Sequence, residues 1–287
     1  MTTNVRPTLA AQLDGDLQIV GAESFFRVGQ AQFGMPGLIA IESVGPFMEI
    51  ANIGPFLMIH DAHMDPDKGI GHHPHRTNER LFYIIRGQIE HDDALNGIRG
   101  TMHEGDLARL TEGERGMLHQ EWNGRSDVTT HAFILVYTPD VEPPIPVASF
   151  NALRASTVPV VAEADGVATK QLIGGSSEFS ASNSAITGFF DSSLEADATL
   201  DIAMPPSEGL ILYPIEGAVR LVEAGAELRA TTDLQPEGPD AMAVAWSDAG
   251  GRTLRVAASD GPARLLRVGF RRGEDDLVLH QPWRSRE

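Results

Sequence analysis

Apolar residues along this chain alternate or bunch in short runs. GPFLMIHDAH, RLFYIIRGQIEH, HAFILVYTP, GLILYPIEGAVRLVEAG, AMAVAWSD, RTLRVAAS and ARLLRVGF follow one another between Gly, Pro and Asp punctuation. No long stretch keeps the i, i+3, i+4, i+7 apolar spacing of an amphipathic helix. Short β-rich runs separated by turn residues predict an all-β sandwich or barrel with few short helices. The 29 glycines and 18 prolines supply the turns such a fold needs.

The runs fall into two halves. The first closes with HAFILVYTP, and the proline-rich VEPPIPVASF follows as a connector. We therefore expect domains at residues 1–140 and 155–287. LFYIIRGQIEHDDA in the first half and LILYPIEGAVRLVEA in the second share a strand–glycine–strand theme, at Gly87 and Gly217. This echo suggests a duplicated barrel.

Composition narrows the chemistry. The 287 residues include no cysteine, which excludes disulfides, iron–sulfur clusters and a cysteine nucleophile. A formal charge of −18 repels phosphate backbones, so no direct nucleic-acid partner is expected. No apolar stretch has the length of a signal peptide or a membrane span, and the expected location is cytoplasmic with no membrane partner.

Of the ten histidines, nine lie between residues 60 and 131; His280 stands alone near the end. In a strand, residues i and i+2 share a face. His73 and His75 then form a chelating pair, while His72 faces away. Pro74 between them donates no ladder bond and places the segment at a strand start, an edge or a bulge. His119 and Glu121 share a face by the same parity. If the two strands face each other inside a barrel, His73, His75, His119 and Glu121 converge, a donor set suited to one divalent transition metal such as Fe(II), Mn(II), Ni(II) or Cu(II). Glu79 and Asn123 extend the parity count onto the ligand face, and Glu79 is a candidate base beside the metal. Phe56, Met58, Phe82, Tyr83, Met117 and Trp122 are core residues that could also wall a pocket. Arg76 is either a carboxylate partner or solvated. His91 and His103 read as structural residues in or near turns. The second half, with one histidine, should hold no metal of its own.

GPFLMIHDAH at 54–63, HPHRTNE at 73–79, YIIRGQIEHDD at 83–93 and GDLARLTEGERGMLHQEW at 105–122 resemble the pirin family of the cupin superfamily. The resemblance implies a bicupin, two cupin-type β-barrels in tandem, and an iron-type ion held by His73, His75, His119 and Glu121. In that family the residue corresponding to Glu79 sits near the metal. The chain departs in RTNERLFY, where pirins carry RGFETVTY, and in one extra residue between Gly113 and His119. The extra residue should enlarge the turn before the ligand strand. The resemblance further implies a metal-dependent oxidoreductase, a dioxygenase acting on a flavonol or catechol-type aromatic such as quercetin, with Glu79 or Glu121 as proton acceptor. The alternative is an iron-dependent regulatory protein that binds a protein partner without turnover.

Overall fold

The computed structural model describes residues 16–230, 241–273 and 276–279. The fold is all-β. Among the described residues the only helical segments are the four-residue helix Gln30–Phe33 and the single 3-10 turns Ala22–Ser24 and Ala155–Thr157. Among the described residues no helix is long and apolar enough to cross a membrane.

Two compact units divide the described chain. One comprises residues 25–159, 171–186 and 276–279; the other comprises residues 16–24, 160–170, 187–230 and 241–273. Where the sequence suggests contiguous halves, the contacts interleave the chain. The strand Leu17–Gly21 pairs with Ala241–Trp246 in the second unit. Leu277–Leu279 pairs with Ile50–Ile53 in the first. The connector region also stays with the first unit, because Ser149–Leu153 pairs with Leu107–Thr111. Such long-range pairings leave no local signal for a boundary drawn from composition.

The first unit is built from two antiparallel sheets. The larger runs Ser149–Leu153, Leu107–Thr111, Glu79–Arg86, Thr130–Tyr137, Phe56–Met64, Leu38–Val44 and Phe26–Val28, with Ile50–Ile53 attached to Phe56–Met64. The smaller runs Gly69–His75, Met117–Trp122, Gln88–Asp93 and Ile98–His103. Phe82, Ala108 and Leu110 of the larger sheet cluster with Ile89, Met102 and Met117 of the smaller. Gln88–Asp93 alternates strictly, with Ile89, His91 and Asp93 turned inward. Glu79–Arg86 is buried on both faces over most of its length, as expected of a strand inside a covered sheet.

The acidic and glycine positions of the quoted phrases hold the turns. Asp93 is fully buried, and its Oδ1 accepts the backbone N–H groups of Leu95 and Leu118 at 3.0 and 3.1 Å. One carboxylate thus closes the turn after Gln88–Asp93 and pins the strand that carries His119. Asp106 does the same further on, accepting from His103 N, Ala155 N and the Arg154 guanidinium.

The second unit is one nine-stranded sheet, with the path Leu17–Gly21, Ala241–Trp246, Glu208–Leu221, Arg252–Arg271, Ile186–Leu194, Val167–Ile173 and Val160–Ala164. Leu212, Val219, Val256 and Leu265 belong to its core. His280 lies outside the described residues.

Gly217 sits in Glu208–Leu221 at φ 65°. A Cβ there would lie 2.3 Å from the Pro262 carbonyl oxygen. Gly225 has φ 62° but open space around it. Gly225→Ala should cost only the left-handed backbone penalty of about 1 kcal/mol. Gly217→Ala adds a backbone clash and should cost at least about 2 kcal/mol more than Gly225→Ala. Urea midpoints of the two variants check this; equal costs would contradict it.

Candidate metal centre

Antiparallel pairing of Gly69–His75 with Met117–Trp122 builds the site. The register sets His73 opposite His119 and His75 opposite Met117. His73 and His75 lie on one face of their strand, and the His119 ring stands 4.4 Å from His73 and 4.9 Å from His75, centroid to centroid. Ring nitrogens of the three all fall within 4.8 Å of one another. His72 is exposed on the other face. Pro74 lies on the edge strand of the smaller sheet, where its missing N–H costs least.

A bulge between His119 and Glu121 alters the local register. Glu121 Oε1 nevertheless lies 3.4 Å from His119 Nδ1. The turn that carries the extra residue is closed by Gly116 N donating to Gly113 O, with both glycines at positive φ, and His119 keeps its place opposite His73.

Burial dominates the electrostatics. It pushes the His73, His75 and His119 imidazoles down from their ordinary range, with help from the Arg80 guanidinium and from one another. All three are neutral near pH 7 and keep a lone pair for a ligand. Burial pushes the Glu121 carboxyl up to about 7, with Arg80 opposing the rise. His119 Nε2 and Glu121 Oε1 are buried with no hydrogen-bond partner. Orphaned buried donors and acceptors are costly, and here they point to a missing partner. Three imidazoles and a carboxylate with unsatisfied atoms fit a divalent transition ion.

Three residues of the site are not evident from sequence patterning. His91 lies within Gln88–Asp93 rather than in a turn, buried opposite Glu121, with its Nδ1 3.1 Å from His119 Nδ1. Alternation through Ile89, His91 and Asp93 is the signal that marks it as inward-facing. Arg80 reaches His75 Nδ1 at 2.8 Å and is held by the buried Glu112 carboxylate, also at 2.8 Å. Ile70, between the glycines of the edge strand, lines the cavity beside the ligands.

Glu79 does not join the ligands. Arg80 and Phe82 line the cavity beside the histidines, so Glu79 points to the opposite face of its strand. There it accepts from the Thr111 and Tyr137 hydroxyls and, at 2.9 Å, from Ser182 N, with the Arg109 guanidinium 3.5 Å away. The parity count fails because the chain leaves the strand at Arg76 and turns through Thr77 at φ 73° before Glu79 begins the next one. Asn123 is likewise elsewhere: fully buried, it donates to Met64 O, Asp65 O and Val128 O and fixes the adjoining loop. Arg76 donates to Glu114 O, and His103 is exposed at a strand end.

His73, His75 and Glu121 open on a cavity of about 290 Å³. Phe33, Met58, Ile70, Phe82, Ile89 and Ile134 contribute apolar walls; His73, His75, Arg80 and Glu121 contribute the polar side. Of the expected wall residues, Met58 and Phe82 are there. Phe56 and Tyr83 are fully buried outside that lining, Met117 packs in the core cluster, and Trp122 lies against Gly69.

A β-rich chain whose short paired strands gather histidines and a glutamate around an apolar cavity has a cupin-type fold. Residues 29–135 match the pirin family. Pirin-like protein 2 of Arabidopsis thaliana is 30% identical over 166 residues, which is 57% of this chain and 50% of that protein. This chain thus spans about half the length of that curated relative. A quercetin 2,3-dioxygenase from Acinetobacter baumannii is similar in structure with a TM-score of 0.68 at 19% identity, covering 90% of this chain and 80% of that one. The bacterial pirin YhhW from Escherichia coli, solved in complex with nickel(II), has a TM-score of 0.64 at 15% identity, covering 88% and 98%. Residues 29–135 thus carry a pirin domain, and the chain is similar to pirin-like proteins over that region.

His73→Ala, His75→Ala, His119→Ala and Glu121→Ala should each lose most bound metal, whereas His72→Ala should keep it; metal analysis after dialysis reads this directly. The imidazoles carry no proton to displace near neutrality, so Glu121 is the proton source. Loading Ni²⁺ at pH 6.5 should release protons, loading at pH 8.5 should release almost none, and Glu121→Gln should abolish the difference. Equal release from the Gln variant in weakly buffered solution would contradict the assignment. Glu79→Ala leaves two hydroxyls, a backbone N–H and a guanidinium without their acceptor. It should cost about 3 kcal/mol or more of unfolding free energy while metal per folded chain stays unchanged. Metal loss at unchanged stability would place Glu79 at the centre after all.

Proposed function

We propose that the protein is a metal-dependent oxidoreductase of aromatic enols or catechols, with quercetin-like flavonols as the substrate class and dioxygen as the oxidant. The observation that carries this reading is the apolar cavity into which His73, His75 and Glu121 project. A regulator without turnover would instead act through an outward-facing apolar or charged patch. The name of the Acinetobacter baumannii structure supports the same reading.

His73, His75, His119 and Glu121 would hold a divalent ion, Fe(II) by preference, with Mn, Ni or Cu as substitutes. When bound, the ion supplies Lewis acidity and positions open to exogenous ligands. The chain's own residues do the rest. Phe82, Met58 and Ile134 enclose a flat ring and exclude water. Glu121, buried at the cavity wall, is the group placed to accept a phenolic proton. His91, next to His119 and opposite Glu121, sets the orientation of both. Arg80, fixed by Glu112, places a positive charge at the cavity wall that favours the phenolate over the phenol.

Oxygen uptake with quercetin-like substrates by Fe-, Mn-, Ni- and Cu-loaded protein tests the reading. At least one form should consume oxygen. Ile134→Trp, which fills the cavity, should lower kcat/KM at least tenfold with bound metal intact. If no metal form consumes oxygen, the regulatory alternative takes its place.

A further inference from the structure

A second group of potential ligands lies in the same unit, on strands that contribute no candidate ligand to the centre above. Asp61 and His63 share a face of Phe56–Met64, and His131 on Thr130–Tyr137 is the direct cross-strand partner of His63. His131 Nε2 lies 2.5 Å and His63 Nε2 3.3 Å from the same oxygen, Asp61 Oδ1. The two imidazoles stack nearly parallel, 18° apart with centroids at 4.1 Å. One ligand atom from each residue falls within 4.8 Å of the others. The side chains of His63, Asp61 and His131 are 12%, 2% and 11% exposed, so the group is sheltered yet reachable.

We propose that Asp61, His63 and His131 form a second site for a divalent transition ion such as Zn²⁺, Fe²⁺ or Co²⁺. Two imidazoles and one carboxylate are the donors these ions take, leaving further positions for water. Ligand bonds of about 2.0–2.2 Å put neighbouring donor atoms about 3 Å apart, so the present spacing needs only a small opening of the Asp61–His131 contact. Both strands are interior to the larger sheet, so cross-strand pairing orders the three side chains in advance. The Asp61 carboxylate between two imidazoles is also a sheltered negative charge, which a bound cation would offset. Arg86 opposes an ion here, but it is exposed and its Nε donates to Thr129 O. His63 also borders the apolar cavity, which gives an ion a way in. The site is independent of the oxidoreductase reading.

Metal counts on chelator-stripped full-length protein, reloaded with Co²⁺ or Zn²⁺ and freed of excess by gel filtration, test it. Wild type should bind about two ions per chain. His73→Ala and Asp61→Asn should each bind about one, and the double variant almost none. Asp61→Asn keeps the shape of the side chain, and His63→Gln serves as a second variant if the first does not fold. Added Zn²⁺ should raise the Tm of His73→Ala but not of the double variant. A wild-type count of one that His73→Ala takes to zero, or a count of two that neither Asp61→Asn nor His63→Gln lowers, overturns the proposal. Loss of oxygen uptake in His73→Ala bears only on the first site.

Discussion

Antiparallel pairing is a backbone matter, yet in this protein it fixes the chemistry. Hydrogen bonds between Gly69–His75 and Met117–Trp122 set His73 against His119, and every other property of the centre follows from that register. A slip of one residue would turn His73 and His75 to solvent and bring in His72 and Pro74. The register is therefore guarded by groups that do not touch the ligands. Asp93 pins the backbone of Leu118, and Asn96, itself held by Asp93, donates to Gly116 O. Buried carboxylates spent on backbone N–H groups are costly unless fully satisfied, and these are satisfied.

The second organising fact is the different surroundings of two buried carboxylates. Glu79 and Glu121 are both buried. Glu79 is met by two hydroxyls, a backbone N–H and a guanidinium, whereas Glu121 Oε1 has no hydrogen-bond partner. The same residue type thus meets a full set of donors in the larger sheet and keeps an unpartnered oxygen in the smaller one.

Much of this was legible in the chain itself. His73, His75, His119 and Glu121 could be selected because the period of a strand is two, and pairs at i and i+2 need only local information. The all-β class could be read from alternation and turn residues for the same reason. Glu79 could not be placed, since the turn at Thr77 breaks the count between strands. His91 was hidden in EHDD, whose polarity resembles a turn although Ile89, His91 and Asp93 point inward. Association of His131 with Asp61 and His63 spans 70 residues and depends on strand order, which no local pattern encodes. The interleaved units, with Leu17–Gly21 joining Ala241–Trp246, were out of reach on the same ground.

Pro74 has a kinetic consequence. Two of the candidate ligands ride on an edge strand that is secured on one side only, and the residue between them has no N–H to contribute to the ladder. The other two ride on a strand secured on both sides. Local opening in proteins starts where the fewest backbone bonds must break. The centre therefore comes apart asymmetrically: Gly69–His75 peels away first, carrying His73 and His75 together, while His119 and Glu121 stay in place. Amide exchange would see this as fast turnover at His73 and His75 beside slow turnover at His119 and Glu121. Exchange of an ion at the candidate centre would then be governed by fraying of one strand rather than by unfolding of the unit.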